Sequence, residues 1–177
     1  MSTNTALLII DAQVGLLDEA YRRDDVVTTI ADLIARAHRS ATPVIYVQHD
    51  GDPDGGLAVG SPGWQIHPAL APRAGDLVIR KRSSDSFYET PLQEELDARG
   101  IRRLVIGGMK TEMCVDTTSR VAVSRGYDVT LVGDAHTTTD TDALPAARMI
   151  AYHNEILDDF GNDAHVVTTK QARAIAL

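Results

Sequence analysis

Cys114 is the only cysteine in a chain of 177 residues, and it stands where a strand should give way to a helix, in "GGMKTEMCVDTTSR" (107–120). A thiol there can act as a nucleophile. A helix N-terminus presents unpaired N–H groups and positive potential, which favour thiolate over thiol. Thr111, three residues earlier, is a candidate N-cap. Two other reactive side chains close apolar runs: Asp11 ends "ALLIID" (6–11) and Lys81 ends "DLVIRK" (76–81). In an open α/β sheet, ligands bind beyond the carboxyl ends of the strands. The three side chains are therefore expected to meet over one sheet edge. There a carboxylate could move a proton, an ammonium could steady negative charge, and a thiol could attack a carbonyl. On this reading the Cys114 thiol has a depressed pKa. Each residue alone also has a plainer reading. Cys114 fits a buried structural cysteine, Asp11 a cap or turn residue, and Lys81 a solvated base among Arg80, Arg82 and Arg102. Their shared position at strand ends favours the chemistry.

Other chemistries have less support. There is no GxSxG elbow, no G-x-G-x-x-G after the first apolar run and no P-loop, so neither a serine hydrolase nor a nucleotide cofactor is expected. Of the six histidines, His49 and His136 lie near strand ends, which leaves a Cys–His pair open. No H-E-x-x-H spacing occurs, and "HDGDPDGG" (49–56) lacks the closing Glu of a calcium loop. His49, Asp50 and His67 could gather around an ion only through folding. The expectation is no metal and no cofactor.

The elements that must position these residues are legible as alternation. Short runs rich in Val, Ile and Leu recur at 6–11, 43–48, 76–81, 103–109, 128–133 and 165–169, as strands buried on both faces should. Helical patterns lie between most of them. The segment 24–39 puts Val27, Ile30, Ile34 and Ala37 on one face. The segment 91–100 starts near Pro91 and stops at Gly100, a third helix runs from Cys114 toward Gly126, and 142–161 carries Pro145 in its first turn. This predicts one α/β domain over 1–177: a three-layer sandwich with a mostly parallel sheet of about six strands and helices on both faces. The irregular stretch 49–75, with Trp64 and Ile66, is long for a compact domain and is expected to serve as a lid or an oligomer contact.

The net charge of −8 and pI near 5.1 disfavour a nucleic-acid partner. No apolar run is long enough to span a bilayer, and "MSTNTALLII" has no basic residues ahead of its apolar stretch. A cytoplasmic protein acting on a small molecule, with no nucleic-acid or membrane partner, is expected.

The pieces "ALLIIDAQVGLL", "YVQHD", "GSPGWQIHPAL" and "VIRKRSSDSFYETPLQEELDARGIRRLVIGGMKTEMCVDTTSRVAVSRGYDVTLVGDAHTT", in this order over most of residues 6–140, resemble the isochorismatase-like cysteine hydrolases. That family includes nicotinamidases and N-carbamoylsarcosine amidohydrolases. The resemblance implies an isochorismatase-like, Rossmann-like fold and a catalytic triad of Asp11, Lys81 and Cys114. It further implies a cis peptide at Met109–Lys110 and an oxyanion hole made of the backbone amides of Lys110 and Cys114. It implies cleavage of a small amide through a thioester, and a homo-oligomer. Gln13, Trp64, Phe87 and Tyr88 are candidate substrate-binding residues, with turn polarity and core packing as their plainer roles. Three departures matter. True isochorismatases lack the cysteine, so Cys114 argues against vinyl-ether cleavage. Nicotinamidases carry an Asp-x-His metal motif, and "QHDGDPDG" lacks it, which argues against nicotinamide. The third is smaller: Ser86 is the residue before Phe87, a place where the family often has a small residue ahead of the aromatic. The competing classes are a catalytically silent binding protein on the same fold and a redox-responsive thiol protein, the latter without a resolving cysteine.

Overall fold

The structure is a computed structural model that describes residues 4–177. Six strands form one parallel sheet: β1 (Thr5–Ile10), β2 (Val44–His49), β3 (Leu77–Lys81), β4 (Arg103–Met109), β5 (Asp128–Thr137) and β6 (Val167–Lys170), in the order β3-β2-β1-β4-β5-β6. The helices are α1 (Val14–Leu17), α2 (Arg23–Arg39), α3 (Leu92–Ala98), α4 (Asp116–Ser124) and α5 (Ala146–Leu157). Successive strand residues face opposite sides. Leu8, Ile10, Ile45, Val47, Leu104 and Ile106 pack with Leu92 and Leu96 of α3 and Ala122 and Val123 of α4. Leu7, Ile9, Val44, Tyr46 and Val105 pack with Val27, Ile30, Ile34 and Ala37 of α2 on the other face. Both faces of the sheet's centre are covered, which is why β1, β2 and β4 read as unbroken apolar runs, whereas the edge strands β3 and β6 keep one face partly exposed.

The strand order reverses between β1 and β4, and such a switch point opens a crevice beyond the strand ends. Close approach at this point explains two glycines. A Cβ on Gly108, whose φ is 127°, would lie 1.9 Å from the carbonyl oxygen of Ile10 on β1. One on Gly107 would lie 2.8 Å from the carbonyl oxygen of Ala135 on β5. Neither obstacle can swing away, because both are backbone. Gly108→Ala is therefore expected to cost at least about 2 kcal/mol, against a few tenths for Gly56→Ala, where the space is open. Denaturant midpoints of the two variants check this.

Several element boundaries differ from the sequence pattern: β5 runs on to Thr137, β6 starts at Val167, and both ends of the last helix move. The last helix starts at Ala146 rather than at residue 142, because the carboxylate of Asp140 accepts the Ala146 N–H at 2.8 Å and caps it from outside. It stops at Leu157 because Asp158 turns extended and its carboxylate accepts from Thr169 N at 2.7 Å. The segment 49–75 is strapped across the end of β1. Val14 N donates to Gln65 O at 2.9 Å, Gly15 N to Gly63 O at 2.8 Å and His67 N to Ala12 O at 2.9 Å. No helix among the described residues is long and apolar enough to cross a membrane.

Candidate active site

Asp11 follows β1 directly in a left-handed conformation (φ 48°) and is fully buried. Asp tolerates this region better than most residues, and the strained backbone aims the carboxylate across the end of the sheet. Lys81 closes β3, an edge strand on which burial alternates: Ile79 and Lys81 are buried, Val78 and Arg80 exposed. That alternation sends the Lys81 ammonium inward and keeps Arg80 outside. Its Nζ lies 2.7 Å from Asp11 Oδ2, 3.1 Å from Cys114 Sγ and 2.8 Å from the carbonyl oxygen of Ser83. The contact with Oδ2 is an ion pair rather than a directed hydrogen bond, and Asp11 Oδ1 has no hydrogen-bond partner among the described residues. Cys114 is partly buried. The three strand-end residues thus converge as their chain positions imply, and the solvated-base reading of Lys81 fails: its side chain is 0% exposed.

The setting of Cys114 corrects two expectations. It lies in a π-helical turn, Thr111–Val115, ahead of α4. The N-cap position is Lys110, without a side-chain cap, and the Thr111 hydroxyl instead meets His136 Nδ1 at 2.9 Å. Nor is the thiol acidified. Burial, then the neighbouring Asp11 carboxylate, push its pKa up to about 11 against the opposing pull of Lys81. Burial likewise holds the Asp11 pKa above its ordinary value despite Lys81. One ammonium stands between two acidic groups and favours the charged form of each, against the burial that opposes it. With its pKa pushed up to about 11, Cys114 keeps its proton at neutral pH. The bond Met109–Lys110 is cis, and Met113 N and Val115 N both donate to Lys110 O at 3.1 Å.

The other expected residues divide. Tyr88 is exposed and lines a cavity of about 250 Å³ beside Lys81, with Asp50, Arg80, Arg82 and Glu89. Trp64 stands behind that wall: its Nε1 donates to Asp50 Oδ1 at 2.9 Å and the Arg80 guanidinium lies over its ring at 5.3 Å. Gln13 does not face the cavity. It is fully buried, its Nε2 donates to the carbonyls of His49 and Trp64, each at 2.9 Å, and its Oε1 accepts from His49 N at 2.8 Å. It braces the long loop. Phe87 is a core residue, stacked on Tyr127 at 6.0 Å between centroids.

A Cys–His pair does not form. His49 Nδ1 lies 3.4 Å from Lys81 Nζ, and burial followed by that ammonium keeps its pKa low. His136 is bonded to Thr111 and Asn154. His49, Asp50 and His67 do not converge: Asp50 is bound to Arg80 and Trp64, and His67 Nδ1 accepts from Ala69 N. No cluster of three potential metal ligands occurs among the described residues.

The chain resembles known proteins in sequence and in fold. The chain is 36% identical to a streptothricin hydrolase of Streptomyces noursei over 79% of its own length and 57% of that protein's, so it spans little more than half of that relative. It is 31% identical to ureidoacrylate amidohydrolase RutB of Methylorubrum extorquens, covering 74% of this chain and 68% of that one. A crystal structure of an isochorismatase from Pseudomonas putida KT2440 superposes with a TM-score of 0.89 at 31% identity, covering 97% of this chain and 90% of that chain. The isochorismatase domain model matches residues 5–169. With the parallel sheet, its switch point and this match over nearly the whole length, the chain belongs to the isochorismatase family.

Proposed function

We propose that the protein is a cysteine hydrolase that cleaves a carbon–nitrogen bond in a small amide or related acyl compound. The observation that carries this is the buried ammonium of Lys81, 2.7 Å from a carboxylate and 3.1 Å from the lone thiol. Two relatives named as a hydrolase and an amidohydrolase support the same bond class. Asp11 takes the thiol proton as Cys114 attacks the carbonyl carbon. Its raised pKa makes it a stronger base than an ordinary carboxylate, so the proton moves across a smaller gap. Lys81 stays beside both partners and offsets the charge as it passes from carboxylate to sulfur. The tetrahedral oxygen is held by the backbone amides of Lys110 and Cys114, as the family resemblance implies. Asp11 then gives its proton to the leaving nitrogen, a thioester remains, and water activated by the same carboxylate releases the acid. Tyr88 and Arg82 border a cavity of about 250 Å³ beside Lys81, which offers room for a small substrate next to the triad.

A panel of primary amides, carbamoyl compounds and lactams, assayed for ammonia or acid release, tests the proposal. Release that depends on Cys114 supports it; no release from any member, with Cys114 intact, counts against it. The thiol route has no step that needs a metal. Dialysis against a chelator is expected to leave turnover unchanged, and loss restored by zinc, iron or manganese would contradict this.

A further inference from the structure

His136 is 1% exposed and takes no part in the bond changes described above. It stands near the end of β5, opposite Gly108 of β4, just past a slip in the register of these two strands. Irregularities of this kind re-aim side chains. The ring is held on both sides: Nδ1 lies 2.9 Å from Thr111 Oγ1, and Nε2 lies 2.9 Å from Asn154 Oδ1. The direction of each proton follows from the partners. Asn154 Nδ2 donates to the Gly133 carbonyl at 3.0 Å, which can only accept, so Oδ1 is the atom that faces the ring. Nε2 therefore carries the proton. Nδ1 is left as the acceptor, and the Thr111 hydroxyl is the donor. Burial keeps the ring neutral, with a pKa pushed down to about 4, so this polarity persists across neutral pH.

Thr111 is the first residue of the π-helical turn and is itself fully buried. Without His136 its hydroxyl would have no water to turn to. The turn has no side-chain cap, so this hydrogen bond ties its start to β5 and, through Asn154, to α5. We propose that His136 is a positioning residue: acting through Thr111, it fixes the turn that carries the amides of Lys110 and Cys114 and holds these donors in register with the thiol. This rests on the cysteine-hydrolase reading above.

The test compares three variants. His136→Leu removes both bonds. Thr111→Val removes the shared bond from the other side at nearly constant volume. His136→Asn keeps an acceptor oxygen near the place of Nδ1. The probes are p-nitrophenyl acetate, whose transfer to the thiol builds an oxyanion, and iodoacetamide, whose alkylation of the thiol builds none. Acylation of Cys114 is expected to slow about tenfold or more in Thr111→Val and His136→Leu, with the double variant little worse, and to recover to within about threefold of wild type in His136→Asn. Alkylation should stay within about twofold throughout. Amide hydrogen exchange over residues 109–116 should quicken in the first two variants and return in His136→Asn. If His136→Leu does not fold, Thr111→Val and His136→Asn carry the comparison. Unchanged acylation and exchange in Thr111→Val would overturn the proposal, as would a loss of acylation matched by an equal loss of alkylation. A wild-type enzyme that is not acylated at Cys114 would sink the hydrolase reading instead, and hydrogen exchange would still decide the role of His136.

Discussion

Cys114→Ala is expected to abolish amide hydrolysis, lowering kcat/KM by about 10,000-fold or more, with the fold intact. No second thiol exists in the chain to take over the attack. The substitution removes one atom from a side chain that is only partly buried, so little packing is lost. Circular dichroism and the thermal midpoint of the variant should match the wild type. Cys114→Ser should be nearly as inactive, because a hydroxyl is far harder to deprotonate than the thiol beside the same carboxylate. Turnover by Cys114→Ala above about a tenth of wild type would remove the nucleophile from the account.

The second large effect is in the pH dependence. The thiol, with its pKa pushed up to about 11, is protonated at neutral pH. Activity then follows the carboxylate of Asp11, which must be ionised to accept the proton. Its pKa is raised by burial. The acid limb of kcat/KM should therefore lie at higher pH than an ordinary carboxylate would give, with activity lost below that pKa and present above it. Asp11→Asn should remove most of the activity, about 1,000-fold, and with it the acid limb. What remains should climb with pH as thiolate forms directly. Lys81→Ala should cost a similar factor, since it leaves two acidic groups sharing a buried site with no cation. The double variant should be little worse than either single one, because the residues act as a unit. The same protonated thiol predicts slow alkylation by iodoacetamide at pH 7 compared with a free thiol of pKa about 8.5, rising with pH. A Lys81→Ala enzyme of near-normal kcat, or an Asp11→Asn enzyme with an unshifted acid limb, would contradict this part.

The fold was legible because the central strands β1, β2 and β4 are buried on both faces. A run such as "ALLIID" has nowhere to sit except inside a sheet covered by helices. The positions of Asp11 and Lys81 were legible because each closes an apolar run, at the end of a strand where ligands bind, although β3 is an edge strand buried on one face only. What the chain does not display is distance and burial. A helix N-terminus and a lysine near Cys114 are visible as residue types, whereas the desolvation that outweighs them is not. Gln13 follows Asp11 by two positions, and that spacing alone suggests a pocket residue. Its polar atoms are taken up by the backbone of His49 and Trp64, far away in sequence. Phe87 was ambiguous between cavity and core, and the core holds it against Tyr127. In the sequence His136 shows only as a histidine at a strand end. Its partner Thr111 has the sequence position of a helix cap, and nothing local shows the slipped register that brings the two together.

The most direct test of the central claim is intact mass measurement of the enzyme quenched in acid during turnover of the best amide in the panel. The account predicts a population heavier by the acyl group of that substrate, mapped by peptide analysis to the segment containing Cys114 and absent in Cys114→Ala. Turnover that proceeds without an adduct on Cys114, and undiminished in Cys114→Ala, would contradict it.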